Sequence, residues 1–140
     1  MTEPRLTFSR NQRLRGQNSF KTVLEGRARI DSGAISVHAL PSTLATTRIG
    51  ISIGRRVGSA AARNRIKRLL REAYRLSQHE LPRESPAPYD IVVVVRPHEP
   101  LTLEEYRTTL VASVRNLHAT WQKRMNRRSA PPVQDSQREP

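Results

Sequence analysis

The stretch YDIVVVVRP, residues 89–97, constrains the fold most. Ile91 to Val95 form an unbroken β-branched apolar run, and Pro97 ends it. A strand with one wet face alternates apolar and polar residues. This one does not, so both of its faces have to be covered.

Other segments alternate. In AISVHAL (34–40), Ile35, Val37 and Ala39 point one way, and Ser36 and His38 the other. In RIGISIG (48–54), Ile49, Ile51 and Ile53 oppose Gly50 and Ser52. Both segments read as half-buried strands. Pro41, Ser42 and the threonines between them read as a hairpin loop. A very short strand is expected around Ala28 to Ile30. Helical spacing appears three times. In NSFKTVLEG, Phe20, Val23 and Leu24 share a face, Asn18 or Ser19 is placed to cap, and Gly26 to stop the helix. From Ser59, an N-cap candidate, a second helix is expected to about Gln78. In 101–124, Thr102 and Glu105 have capping-box spacing. Leu103, Tyr106, Leu110, Val114, Leu117 and Trp121 make the stripe of this third helix. The order is helix, strands, long helix, strand, helix, and 140 residues fit one domain. Residues 1–15 read as a flexible basic arm, 16–124 as the folded domain, and 125–140 as a tail disordered by composition.

Charge narrows the function. Twenty-five basic residues stand against 12 acidic ones, giving +13 and a pI near 11.6. Such a chain attracts polyanions. No apolar run is long enough to span a bilayer, the N-terminus lacks a signal-peptide core, and there is no cysteine. These features lead us to expect a cytoplasmic protein that meets nucleic acid, with no membrane partner. Arginine outnumbers lysine 22 to 3. Arginine suits bidentate phosphate contacts, but an arginine-rich genome gives the same bias.

The charge is concentrated in RNRIKRLLREAYR (63–75). On a helical wheel Ala62, Ile66, Leu69, Leu70 and Ala73 form one apolar arc. Asn64, Lys67, Arg68, Arg71 and Arg75 lie opposite, with Arg63 and Arg65 at the borders. Arg55 and Arg56 lie just upstream. Cations near a helix N-terminus oppose its dipole by roughly 0.3–1 kcal/mol each. Free amides, dipole and guanidinium groups together suit a phosphate backbone. An ordinary solvated face would mix its signs. Here residues 48–75 hold nine basic side chains and one acid.

The segment RIGISIGRRVGSAAARNRIKRLLREAYR resembles the protein component of bacterial ribonuclease P. RLRGQNSFKTVLEGRAR upstream and YDIVVVVRP downstream stand where that family has its first helix and last strand. The resemblance covers roughly residues 13–121. It implies an α+β fold, a single α/β sandwich of order αβββαβα with a left-handed βαβ crossover. It also implies that an RNA subunit is the catalyst and that the protein is a non-catalytic subunit without a cofactor. Mg2+ is then expected for the RNA-containing holoenzyme. The implied partners are ribonuclease P RNA and the 5′ leader of precursor tRNA. The RNA-subunit contact falls on Arg55, Arg56, Arg63, Asn64, Arg65, Lys67, Arg68 and Arg71. The implied leader cleft takes Phe20, Ser36, His38, Gly50 and Ser52. Small residues at 50 and 52 leave room for a backbone, and Phe20 and His38 offer rings for bases. Read alone, Phe20 is equally a core residue packed with Val23 and Leu24. The chain departs from the family at Leu24 and His38, where aromatics are common, and at Gly54, where serine is.

A protein-only nuclease needs an acid–base pair, a nucleophile or a metal cluster. His38, His79, His98 and His118 are scattered and read as surface or edge residues. Asp31 and Asp90 share no pattern, and Asp90 reads as solvent-facing. The alternatives are a general RNA-binding protein, such as a ribosomal protein or RNA chaperone, then a DNA-binding module, then a membrane-surface helix. The first leaves the three matching segments unexplained. For DNA, no dimerisation element is evident and base-reading side chains are sparse, so no DNA partner is expected. Against the membrane helix, the apolar arc is better used on the sheet.

Overall fold

The computed structural model describes residues 8–129, with side chains to residue 127. The elements are α1 (Gln17–Glu25), β1 (Arg29–Asp31), β2 (Ile35–Pro41), β3 (Arg48–Ile53), α2 (Ala60–Ser77), β4 (Tyr89–Val95) and α3 (Leu103–Ser129). The strands form one sheet in the order β1-β2-β4-β3. β4 runs antiparallel to β2 and parallel to β3. The unbroken apolar strand is therefore central.

β2 and β3 are not the hairpin that Pro41 and the threonines suggest. β4 lies between them, and residues 42–47 cross from one side of it to the other. A strand that needs cover on both faces gains more from a central place than from an edge. The parallel β3–α2–β4 unit is the crossover to which the resemblance gives a left hand.

Side-chain parity divides the core. Ile35, Val37, Ala39, Ile49, Ile91, Val93 and Val95 pack with Leu70, Ala73 and Tyr74 of α2 and with Tyr106, Leu110, Leu117 and Trp121 of α3. Val92, on the other face, joins Leu14 and Val23, with Phe20 and Val94 against them. The sheet thus has α2 and α3 on one side and α1 on the other. Fully burying each such aliphatic side chain stabilises the fold by about 1.5–3 kcal/mol.

The helix ends show local chemistry. Thr102 and Glu105 form the expected reciprocal cap on α3, at 2.9 and 3.1 Å. α1 begins two to three residues earlier than an Asn18 or Ser19 cap would have it. Gly16, at φ 90°, turns the chain into the helix, a conformation that suits glycine.

The chain ends differ from the sequence expectation. Residues 8–15 are docked, not loose. The Leu14 amide donates to Ile49 O at 2.9 Å, Leu14 is buried, and Phe8 meets Tyr74 edge-on. α3 runs on to Ser129, so residues 125–129 are helical. Residues 1–7 and 130–140, which include the rest of the expected arm and tail, lie outside the described residues. Among the described residues, no helix is long and apolar enough to cross a membrane.

Candidate nucleic-acid interface

α2 starts after a single 3₁₀ turn, Arg55–Val57. Ser59 caps it, its Oγ accepting from the Ala62 amide at 3.1 Å. Leu70, Ala73, Tyr74 and Ser77 are buried beneath it, and Ile66 and Leu69 half-buried. Ala62, expected in the apolar arc, is exposed, because the first turn extends past the packed core. Asn64, Arg65 and Arg68 are exposed on the outer side with Arg55 and Arg56 beside them, and Arg63, Lys67 and Arg71 are half-buried.

Two of the nine cations in residues 48–75 are structural. Arg48 holds Asp90 through two parallel hydrogen bonds of 2.8 and 2.7 Å. Asp90 is therefore buried and paired rather than solvent-facing. Arg75 holds Glu72, the one acid of α2, at 2.8 and 2.6 Å. The other seven have no acidic partner among the described residues. Arg63 bends back, its Nε donating to Gly58 O at 3.2 Å. This fixes its head over the helix start and leaves its other N–H groups available.

Arg71 leaves the ridge and faces β3. Together with Arg13, Arg15, Phe20 and Gly50 it lines a pocket of about 250 Å³. Burial, then the charges of Arg13 and Arg15, lower the pKa of its guanidinium. Three like charges are held together here, which favours an anion. Arg13 and Arg15 were missed as site residues. Their signal is the alternation in RLRG: Leu14 points into the core, so its neighbours point out.

Phe20 is half-buried on Leu14, Val23 and Val92. Its ring lies over Gly50, where a Cβ would stand 2.6 Å from Phe20 Cε1. Gly50 is there to admit that ring. Phe20 also borders an open groove of about 540 Å³ with Gly16, Gln17, Lys21, Leu24 and Ser52. Three of the five expected cleft residues, Phe20, Gly50 and Ser52, therefore come together, and Arg71 joins them.

Ser36 and His38 do not. Ser36 is buried under a clasp: its Oγ donates to Asp31 at 2.5 Å, and the Arg96 guanidinium donates to both. His38 is buried, with no hydrogen-bond partner for Nδ1. Burial first, then Arg29, lowers its pKa. Both stand in β2, beyond β4 from the groove. Alternation gave their shared face correctly but could not show that β1 and Arg96 close it.

Two other histidines are also internal rather than superficial. His118 is buried with Nδ1 2.8 Å from Tyr89 Oη. His98 is half-buried and bridges Arg96 O and Tyr106 Oη. Among the described residues, no group of three or more His, Asp or Glu side chains is placed to hold a metal.

The family model for Ribonuclease P matches residues 8–120. The chain belongs to the ribonuclease P protein family. The "Ribonuclease P protein component" of Photorhabdus laumondii is 43% identical over 93 residues, covering 66% of this chain and 74% of that protein. The ribonuclease P protein of Thermotoga maritima shares the fold at a TM-score of 0.56 and 27% identity, over 76% of this chain and 94% of that one. The Staphylococcus aureus protein does so at 0.61 and 23% identity, over 71% and 88%.

Proposed function

We propose that this chain is the RNA-binding subunit of the ribonuclease P ribonucleoprotein, which removes the 5′ leader from precursor tRNA in the cytoplasm. The observation that carries this reading is the six-cation ridge on α2 and the turn before it, unpaired with acids among the described residues, with Arg71 of the same helix turned toward Phe20 and Gly50. The ridge holds ribonuclease P RNA. Arg55, Arg56, Arg63, Arg65, Lys67 and Arg68 meet its phosphates at the helix N-terminal end, where dipole and charge act together. The groove holds the leader. Phe20 stacks a base, Ser52 and Gly50 keep the wall low, and Arg71 with Arg13 and Arg15 draws the phosphates.

The chemistry belongs to the RNA. Mg2+ held by that RNA would supply charge neutralisation for the reaction. Glu72, the only acid on α2, is engaged by Arg75, so the ridge has no free carboxylate for that ion. The protein's contribution is to bind both RNAs and raise substrate affinity.

The test is precursor-tRNA cleavage by ribonuclease P RNA at low magnesium, with and without this chain. Cleavage at the 5′ maturation site is expected only with both. Metal-dependent cleavage by RNA-free protein would overturn the division of labour. Tight RNA binding without any gain in cleavage would favour a general RNA-binding protein instead.

A further inference from the structure

A second groove lies on the other side of α2, about 200 Å³ in volume, between the first turns of that helix and the β4–α3 connection. Ala62, Ile66 and Leu69 form one wall at helical spacing, Val57 and Leu101 close it, and Arg65 lines its polar side. Those five are apolar, and four of them pack inward on the main core, so the groove is firm rather than a gap between mobile loops. Its size is below the roughly 300–1,000 Å³ of pockets that take drug-sized ligands. It has room for one ring system.

Its floor is chemically closed. His98 Nδ1 is 2.6 Å from Arg96 O, and Nε2 is 2.6 Å from Tyr106 Oη. A carbonyl only accepts, so Nδ1 carries the proton and Nε2 accepts from the tyrosine. Neither ring nitrogen is left to read the edge of a ligand. Recognition here is by apolar contact and by the flat guanidinium of Arg65, which stacks well on π-systems. Glu105 of α3 is held at the Thr102 amide, and Glu99, between the lining residues His98 and Pro100, is exposed, one acid against the cations of the ridge.

We infer that this groove takes one unpaired nucleobase of the RNA that the α2 ridge binds. The inference rests on the proposed function and deepens it: phosphates lie along the ridge, and a base turns inward beside Arg65. Charge complementarity selects the occupant. An apolar side chain of another protein would fit the walls, but it would enter beside Arg65, on a helix start that also carries Arg55, Arg56 and Arg63, none of which has an acidic partner among the described residues. A polyanion such as RNA gains from that approach. With no free edge-reading group, the site accepts different bases.

Filling the groove without touching charge is the test. Ala62 is exposed and lines it, whereas Ala61 is exposed and does not. Binding of ribonuclease P RNA is measured for Ala62→Trp, for the smaller Ala62→Leu, and for Ala61→Trp as control, with melting temperatures to confirm folding. Ala62→Trp is expected to weaken binding about tenfold or more, Ala62→Leu less, and Ala61→Trp hardly. The slope of affinity against salt should stay the same, because no phosphate contact is lost. Chemical probing should show one unpaired nucleotide protected by the native protein and exposed again with Ala62→Trp. Native affinity and an unchanged protection pattern for both Ala62 variants would overturn the inference. So would a change in self-association or protein capture with RNA affinity intact. If the native protein does not bind the RNA at all, the proposed function fails first, and the two failures are told apart.

Discussion

Phe20 packs on Leu14, Val23 and Val92 while its ring borders open groove, so alanine there removes core and platform together. Leucine separates them. Phe20→Leu keeps most of the apolar contact and loses the flat ring. The expected result is a loss of about 1–3 kcal/mol in binding precursor tRNA with a leader, little change for mature tRNA, and a small fall in melting temperature. Equal losses for both tRNAs in a binding titration would make Phe20 a core residue only. His38 makes a different prediction. Its pKa is lowered in the fold, first by burial and then by Arg29. The unfolded chain therefore takes up a proton near pH 6.5 that the folded chain resists. A proton bound preferentially by the unfolded state favours unfolding, so stability falls as pH drops through that value. Urea titrations at pH 7.5 and 5.5 should show this fall, and His38→Gln should reduce it. The paired carboxylates Asp31 and Glu72 also lose stabilisation in acid, but at lower pH, since their pKa values are depressed from the carboxylate range.

At the scale of elements, periodicity assigned faces well and neighbours poorly. Alternation in 34–40 and 48–54 put Ile35, Val37, Ile49 and Ile51 on the core side, where they are. It carries no information about which strand lies beside which, and so the β2–β3 hairpin was wrong. The apolar run of β4 held the missing clue, because a strand buried on both faces belongs in the middle. The site was legible to the same degree. The α2 ridge follows from the wheel, and the Phe20–Gly50–Ser52 wall from parity and the resemblance. The closing of Ser36 by Asp31 and Arg96 depends on residues 60 positions apart, which no local pattern encodes. The docking of Arg13 and Arg15 beside Arg71 is another such long-range result. The ridge itself is best tested as an element. Arg63→Ala with Arg65→Ala leaves a good helix former at both positions. It should weaken binding of ribonuclease P RNA more than binding of the leader, and flatten the salt slope by up to about 2. Equal losses for both ligands in filter-binding assays would show that ridge and groove are one surface.

For the whole molecule, the question is what holds a chain of charge +13 together. Self-repulsion on that scale works against a compact state, and salt, which weakens RNA binding, relieves it. The structure answers with clamps at both ends of the described chain. Arg13 and Leu14 pair with Ile49 of β3, Phe8 and Gln12 meet Tyr74 and Gln78 at the end of α2, and the end of α3 ties down the sheet and the α1 turn. Trp121 is buried, its Nε1 donating to Ala39 O at 2.8 Å. Arg124 donates to the carbonyls of Gly26 and Arg27, at 2.8 and 2.7 Å, and lies over the Trp121 ring. Those two residues tie α3 to the sheet and to the turn after α1. Residues 126 and 127 are exposed. Removing 126–140 deletes three arginines, one aspartate and one glutamate, a net charge of +1, so repulsion hardly changes and the Trp121 and Arg124 clamp is kept. That truncation should leave the melting temperature within a few degrees of native and cost only a modest share of RNA affinity. Removing 121–140 takes the clamp as well. Losing a buried tryptophan alone costs about 3–5 kcal/mol, enough to lower the melting temperature by roughly 10 °C or more. Thermal melts of the two truncations, followed by circular dichroism, decide the matter. If they unfold together, the sheet does not depend on Trp121 and Arg124, and the N-terminal segment on β3 and α2 has to carry the load.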